Sequence, residues 1–299
     1  MRKNYIHDFK NDVLFKYCLH DHNDKGCHYL LKLIIGGILK INCKVIRVMN
    51  PDLNPLHVSD KDMILDVSVE DENHQKYDIE MQNSRLTRNL HQRFQVYGAK
   101  MVASQEKVGD DYIENMRKVF QIIFVDDVDK DDMKLMDVFT SRNADGKEEK
   151  FNLITRVIVY LPYINEIVKQ KGLKKLTPLE LAIYIFKNGI DSGIMKLDEK
   201  VVGIMKEKME QFNADEMMLD AAYKRSLNRH ANERDKQEAI EQAREETQKN
   251  NVFKIFKKLY PEEETEFLEN LTFEQYECVF DILLNESHLE DIKNYIEKK

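Results

Sequence analysis

The segment that most constrains the fold lies between residues 63 and 82, where two short apolar stretches flank a polar turn. The stretches are residues 63–69 and 76–81, and with the turn at 71–74 they predict a β-hairpin. A turn centred in this polar stretch places Asp66 opposite Glu80 or the residue before it. Side chains directly opposite each other on antiparallel strands have Cβ atoms about 4.5–5.5 Å apart. The sequence therefore predicts two carboxylates side by side on neighbouring strands.

These two carboxylates are candidate metal ligands. A hard cation such as Mg²⁺ takes oxygen ligands and is held by one or two carboxylates together with waters and substrate phosphates. Gln82 lies two residues beyond Glu80 and therefore on the same face of its strand. Asp66 stands among apolar residues, where an unpaired carboxylate is costly, and this favours a partner cation. An inactivated site would keep the same pattern, so this alternative stays open.

Other segments follow in order along the chain on both sides of the hairpin. Together with the hairpin they resemble the PD-(D/E)XK nuclease superfamily, and within it the bacterial recombination-promoting branch labelled PD-(D/E)XK nuclease family transposase. The resemblance covers about residues 8–165. The segments that carry it are Asp12–Lys16, Tyr29–Leu39, Ile64–Val67, Ile79–Gln82, Arg93–Tyr97, Gly109–Tyr112 and Val119–Val125.

The resemblance implies a Mg²⁺-dependent DNA endonuclease, with Mn²⁺ as a substitute, linked to DNA recombination or mobile elements. It implies catalytic roles for Asp66, Glu80 and Gln82, with Asp66 and Glu80 as the metal ligands. Many superfamily members carry Lys at the position of Gln82, and Gln can orient a water but brings no charge. The candidates for a compensating cation are basic residues outside the hairpin, namely Lys16, Arg93 and Lys100.

Two further positions have both a functional and a structural interpretation. Asp12 is either an additional acid of the site or an ion-pair partner of Lys16, four residues further along the helix. Arg93 and Tyr97, one helical turn apart, either contact a phosphate and support the ligands or serve packing alone.

The predicted fold class is α/β, a restriction-endonuclease-like small mixed sheet flanked by helices and followed by a helical C-terminal region. A strand at 76–81, a helix within 86–107 and a strand at 118–125 predict a βαβ unit with parallel strands. The remaining predicted elements are helices at 8–19 and 29–39, strands at 44–49 and 151–161, turns or connectors at 20–28, 50–55 and 109–116, and a helix that begins at Thr177–Pro178.

The predicted organisation has three parts. Residues 1–165 form the nuclease-like core, 166–250 a helical extension with a charged linker helix, and 251–299 an acidic helical appendage. The apolar positions of the charged run are too few and too small for a sustained coiled-coil seam. The 20–28 connector contains His, Asp and Cys, but their spacing does not match a zinc site, so a solvated loop is predicted.

Charge does not decide whether the chain binds nucleic acid. The net charge is −8, but residues 261–299 hold twelve acids and three lysines, which leaves +1 for the preceding residues. Since affinity for a polyanion depends on where the cations lie, a locally basic groove is compatible with these numbers. DNA is the expected partner by resemblance.

The expected compartment is the cytoplasm. The first residues lack an apolar signal region, and the longest apolar stretch, 30–41, is interrupted by lysines and too short to span a bilayer. The four cysteines show no paired spacing, which suits reduced thiols.

Two other functions compete with a nuclease. A catalytically weak or inactive nuclease-fold module would act in DNA or protein binding, as the missing Lys and the overall acidity suggest. The acidic tail at 261–299 would either mimic nucleic acid and block the site, or mediate self-association into a homo-oligomer.

Overall fold

The fold is built on a mixed sheet of six strands, which confirms the predicted α/β class. The computed structural model describes residues 5–50, 52–53, 63–105, 116–129, 133–269, 271–285 and 288–297. The predicted Gly109–Tyr112 segment, most of the predicted 109–116 connector and half of the predicted 50–55 turn lie outside these residues. Two described residues of that turn, 52 and 53, form a short strand instead.

The strands follow one another along the chain as β1 (Ile46–Met49), β2 (Asp52–Leu53), β3 (Met63–Ile64), β4 (Val67–Asp71), β5 (Lys76–Gln82), β6 (Val119–Val125), β7 (Met136–Phe139) and β8 (Ile154–Tyr160). The main sheet has the order β1-β4-β5-β6-β8-β7, and β2 pairs separately with β3. β5, β6 and β8 run parallel, whereas the pairs β1–β4, β4–β5 and β7–β8 are antiparallel. The parallel β5–β6 pair across a helix confirms the predicted βαβ unit.

The helices are α1 (Asp12–Leu19), α2 (Lys25–Leu39), α3 (Arg88–Ala103), α4 (Ile164–Lys171), α5 (Pro178–Asn188), α6 (Lys200–Ala214), α7 (Glu216–Leu259), α8 (Phe273–Leu284) and α9 (Leu289–Glu297). Polar N-cap side chains determine where several of these helices begin, because each accepts a hydrogen bond from a free backbone N–H of the first turn. Thr177 does so for α5, where the sequence predicts a helix start, and it also forms a capping box with Glu180. α7 is continuous through the charged run.

Several predicted boundaries were wrong for local reasons. α1 begins at residue 12 rather than 8, because Asn11 caps it, and α2 begins at Lys25 rather than 29, because Asp24 caps it. The predicted single strand 63–69 is interrupted at residues 65 and 66, where β3 ends before β4 begins. β7 was not predicted at all, although it forms one edge of the sheet.

The two faces of the sheet carry different layers. α3 covers one face and packs on β6 and β8. On the other face, apolar side chains of β5, β6 and β8 join the main core together with residues of α1, α2, α5 and α6. All seven residues of β6 are buried, as expected for a strand inside a parallel sheet.

The chain divides into two compact units, residues 1–223 and 224–299. In the first unit, buried residues as far as Ala222 belong to the main core. The second unit is helical and has a core of its own, which includes Val252, Phe256 and Val279. The predicted boundaries at 165 and 250 stay predictions. Within the described ranges, none of the helices has the length and apolar content needed to cross a bilayer.

Candidate active site

The hairpin brings Asp66 and Glu80 together through their backbones. Val67 pairs with Ile79, so the next position outward sets Asp66 opposite Glu80, one of the two predicted partners. The Asp66 N–H donates to Glu80 Oε1 at 3.0 Å. The Met81 N–H donates to Asp66 Oδ2, also at 3.0 Å. Each carboxylate therefore accepts a hydrogen bond from the backbone of the opposite side of the hairpin. At residue 66, where the first side of the hairpin is not part of a strand, the backbone N–H bonds the Glu80 side chain instead of a backbone carbonyl.

The second oxygen of each carboxylate faces positively charged or polar side chains. Lys16 Nζ lies 2.9 Å from Asp66 Oδ1. Arg93 Nη2 lies 3.6 Å from Glu80 Oε2, and Gln82 Nε2 donates to the same oxygen at 3.2 Å. α1, α3 and β5 thus each contribute one side chain to the acidic pair.

The Glu80 carboxylate lies in a strongly desolvated environment. Its side chain is only 3% exposed. Burial raises the pKa of Glu80 well above its usual range, and the neighbouring carboxylates of Asp78 and Asp66 add to this effect. A positively charged group close to Glu80, such as Arg93, therefore stabilises the ionised form of its carboxylate.

Asp78 is a third carboxylate of the site that the sequence interpretation missed. It is fully buried, and burial above all raises its pKa to about 7. Gln121 Nε2 donates to Asp78 Oδ2 at 3.1 Å, whereas Asp78 Oδ1 has no hydrogen-bond partner among the described residues. The sequence contains an indication of this role, because Asp78 precedes Glu80 by two residues and therefore lies on the same face of the strand.

Arg93 and Tyr97 lie one turn apart on α3, as predicted. The Arg93 guanidinium lies over the Tyr97 ring, 5.5 Å from its centroid, and also 5.2 Å from the centroid of Phe94. Burial raises the pKa of Tyr97, an effect that the charge of Arg93 opposes. Arg93 Nε is buried and has no hydrogen-bond partner in the described part of the chain. Packing on two rings orients the guanidinium toward Glu80.

The other two predicted supporting residues have different positions. Asp12 lies in the first turn of α1, and Lys16, four residues later, forms an ion pair with Asp66. Lys100 lies in the last turn of α3, and the contacts with Asp66 and Glu80 described above come from Lys16, Arg93 and Gln82.

The donor set of this site fits a hard divalent cation. Asp66 and Glu80 offer carboxylate oxygens that are close together, and their backbone bonds leave Oδ1 and Oε2 to meet cationic groups. Among the described residues, no group of three or more His, Cys, Asp or Glu side chains is arranged to hold a metal ion. The pair would therefore hold a cation as Mg²⁺ is commonly held, by one or two carboxylates with water and phosphate oxygens.

Comparison with known proteins identifies the family. The family model described as PD-(D/E)XK nuclease family transposase matches residues 9–243. A search of curated proteins and a search of solved structures found no match. The six-stranded mixed sheet with flanking helices is consistent with the nuclease fold of this family. The chain therefore belongs to the PD-(D/E)XK nuclease family transposases, the family that its hairpin motif predicts, and this membership indicates a nuclease-like function.

Proposed function

We propose that the protein is a metal-dependent endodeoxyribonuclease that hydrolyses phosphodiester bonds at the Asp66–Glu80 pair. The observation that supports this most is the reciprocal bonding of the two carboxylates, which fixes both of them with one oxygen of each turned to cationic groups. A purely structural pair would not require Glu80 to stay in an environment that raises its pKa so strongly.

Mg²⁺, or Mn²⁺ in its place, would be held by Asp66 and Glu80, where it would polarise the scissile phosphate and lower the pKa of an attacking water. Side chains of the protein supply further positive charge for the phosphate. Lys16 and Arg93 are positioned to meet phosphate oxygens once the carboxylates have another counter-ion. Gln82 can accept a hydrogen bond from a water or donate one to it, and its amide donates a hydrogen bond to Glu80 Oε2.

DNA is the proposed substrate, and recombination or the movement of mobile elements is the proposed setting. Both follow from the description of the family, whose model covers most of the chain. The cations that face the acidic pair suit a phosphodiester substrate, because guanidinium and ammonium groups bind phosphate oxygens strongly.

Cleavage of supercoiled plasmid tests this proposal. Wild type should convert the plasmid to nicked or linear DNA with Mg²⁺ or Mn²⁺ and should leave it intact with Ca²⁺ or EDTA. Asp66→Asn should abolish cleavage. Asp137→Asn is the matched control, because Asp137 is a partly exposed carboxylate on β7 that pairs with Lys134. Equal cleavage by Asp66→Asn and wild type would refute the assignment.

One observation favours a second candidate, a non-catalytic nucleic-acid-binding module. In the structure both carboxylates already have a basic partner from the chain itself, Lys16 and Arg93. Such a module would bind DNA equally well in EDTA and after Glu80→Gln, and a well-folded wild type would leave plasmid intact with every metal. Cleavage that depends on Mg²⁺ or Mn²⁺ would exclude it.

A further inference from the structure

An open cleft of about 430 Å³ lies on the face of the sheet that α3 covers, outside the Asp66–Glu80 pair. Its lining comes from α3, from the end of β7 and from β8, and consists of Gln95, Phe139, Thr140, Ser141, Ile154 and Arg156. Arg156 is two strands away from Asp78 in the sheet, which corresponds to about 10 Å. The cleft is therefore a separate feature of the same sheet face.

Among the described residues that line the cleft, Arg156 is the only charged one. Its Nε donates to Gln121 Oε1 at 3.1 Å, which fixes the guanidinium and leaves its terminal nitrogens for other partners. No carboxylate among the described residues forms an ion pair with Arg156, and burial lowers its pKa. Since a partly buried cation without a partner is costly, this arrangement favours an anionic ligand.

A second, independent observation also indicates a ligand. The Oγ1 atom of Thr140 is buried and has no hydrogen-bond partner among the described residues. Leaving a buried hydroxyl without a partner costs about 1–3 kcal/mol. Thr140, Ser141 and Gln95 line the cleft, and their side chains carry hydroxyl and amide groups. Phosphate oxygens accept hydrogen bonds from such groups as well as from guanidinium.

An aromatic side chain completes the cleft. Phe139 lies opposite Arg156 in the β7–β8 pair, and its side chain is 43% exposed, although it is a large apolar residue. An exposed ring next to a cation and polar groups is the arrangement on which unpaired bases stack in single-stranded nucleic-acid sites. The size of the cleft is within the range of small-ligand pockets.

We propose that this cleft binds one nucleotide unit of a single nucleic-acid strand, with the phosphate at Arg156 and Thr140 and the base against Phe139. The proposal deepens the proposed function and rests on it for the identity of the ligand as nucleic acid. The cleft would hold an unpaired stretch of the strand at a distance from the acidic pair.

Binding in the absence of metal tests the cleft without requiring cleavage. Fluorescence anisotropy of a labelled 20-nucleotide oligothymidylate is measured with the full chain in EDTA. Phe139→Ala should weaken the Kd about tenfold, since a stacked base is lost. Val138→Ala, a truncation of the exposed neighbouring residue on the same strand, should change the Kd less than about twofold.

The binding of a phosphate in the cleft is tested by adding a negative charge inside the cleft or outside it. Gln95 and Gln92 are both exposed residues of α3, but only Gln95 lines the cleft. Gln95→Glu should weaken the Kd about tenfold because it places a carboxylate next to the phosphate, whereas Gln92→Glu should stay within about twofold. Both Gln variants retain Arg156, so its bond to Gln121 and the fold are not disturbed.

Competition identifies which part of the ligand is recognised. Thymidine monophosphate should displace the oligonucleotide from wild type at a lower concentration than inorganic phosphate does. Equal competition by the two would overturn the role of Phe139. Wild-type Kd values for both Phe139→Ala and Gln95→Glu would overturn the cleft as a site.

Plasmid cleavage with Mn²⁺, measured on the same preparations, separates this proposal from the proposed function. If wild type does not cleave but the cleft variants weaken binding, the cleft is supported as a binding site and the nuclease assignment is refuted. If wild type cleaves and the variants bind as wild type does, the cleft is overturned and the nuclease assignment stands.

Discussion

Asp66 and Glu80 hold each other in place through backbone hydrogen bonds rather than through a direct contact of their side chains. Glu80 Oε1 accepts from the Asp66 N–H, and Asp66 Oδ2 accepts from the N–H that follows Glu80, both at 3.0 Å. The strands themselves therefore set the orientation of both carboxylates before any cation binds. Preorganisation of this kind is what an acidic metal site requires, because it avoids reorganisation when the ligand arrives.

The Lys16 ammonium is expected to compete with a divalent cation for Asp66. Its Nζ lies 2.9 Å from Asp66 Oδ1, and both groups are only partly exposed. Replacing Lys16 by Met should tighten Mn²⁺ binding about fivefold, since an ion pair of up to about 1 kcal/mol no longer has to be broken. Isothermal titration calorimetry without DNA measures this change.

Lys10→Met is the matched control for Lys16, because Lys10 is a partly buried lysine that pairs with Asp8 and not with the site. Its Mn²⁺ affinity should equal that of wild type. Weaker Mn²⁺ binding by Lys16→Met would contradict the competition.

Introducing Lys at position 82 should raise the cleavage rate. Gln82 lies 3.2 Å from Glu80 and brings no charge to the site. Gln82→Lys would add an ammonium that can stabilise negative charge developing on the phosphate, and we expect a gain of about tenfold in single-turnover cleavage. Gln82→Met serves as the control that removes the amide without adding charge. A slower Gln82→Lys enzyme would show that the amide is the group that the reaction needs.

Asp78 should give the stability of the protein a specific dependence on pH. Burial raises its pKa to about 7 in the folded state, compared with about 3.9 in the unfolded chain. The folded state therefore binds the proton more tightly, and the stability contributed by the neutral carboxyl group is complete below about pH 4 and is lost as the pH rises through about 7. Asp78→Asn removes this dependence.

Urea unfolding in EDTA at pH 4 and pH 8 measures the effect of Asp78. At pH 8 the Asn variant should be more stable than wild type by roughly 2–4 kcal/mol, whereas at pH 4 the two should be similar. Asp8→Asn, a change at an exposed carboxylate, should show no such difference. The same offset at both pH values would exclude Asp78 as the titrating group.

Gly98 is required where α3 approaches the polar row on the sheet. A Cβ at this position would lie 2.7 Å from Gln121 Oε1, an atom that the bond from Arg156 holds in place. Gly98→Ala should therefore lower the free energy of unfolding by about 1–3 kcal/mol. Gly203→Ala on α6 is the control, because its Cβ would meet nothing within 4 Å, and it should stabilise the protein by about 0.5–1 kcal/mol. Equal effects at both positions would contradict the close approach.

Local patterns were sufficient to predict the hairpin and the parallel βαβ unit. The position of the polar turn limited the register to two possibilities, with Asp66 opposite Glu80 or opposite Ile79, and the observed pairing of Val67 with Ile79 corresponds to the first. β7 was missed because it has only four residues, one of them Asp137, and its place at the sheet edge depends on pairing with β8 across a connection of 14 residues, 140–153. A single sequence does not show such long-range pairing.

The site was predictable in part. The two acids and Gln82 come from one contiguous segment, whereas the contact of Lys16 with Asp66 depends on how α1 packs against the sheet. The bond between Gln121 and Asp78 likewise depends on the parallel register of β5 and β6. Sequence spacing gave no information on either contact.

The most direct test of the central claim measures cleavage and stability together for Glu80→Gln. Plasmid cleavage by this variant should fall about 100-fold or more at saturating Mn²⁺. The variant should also be at least as stable as wild type at pH 8 in EDTA, because the change removes a carboxyl group whose ionisation is disfavoured by burial. Cleavage at the wild-type rate by a folded Glu80→Gln protein would contradict the assignment of Glu80 as a metal ligand of the nuclease site.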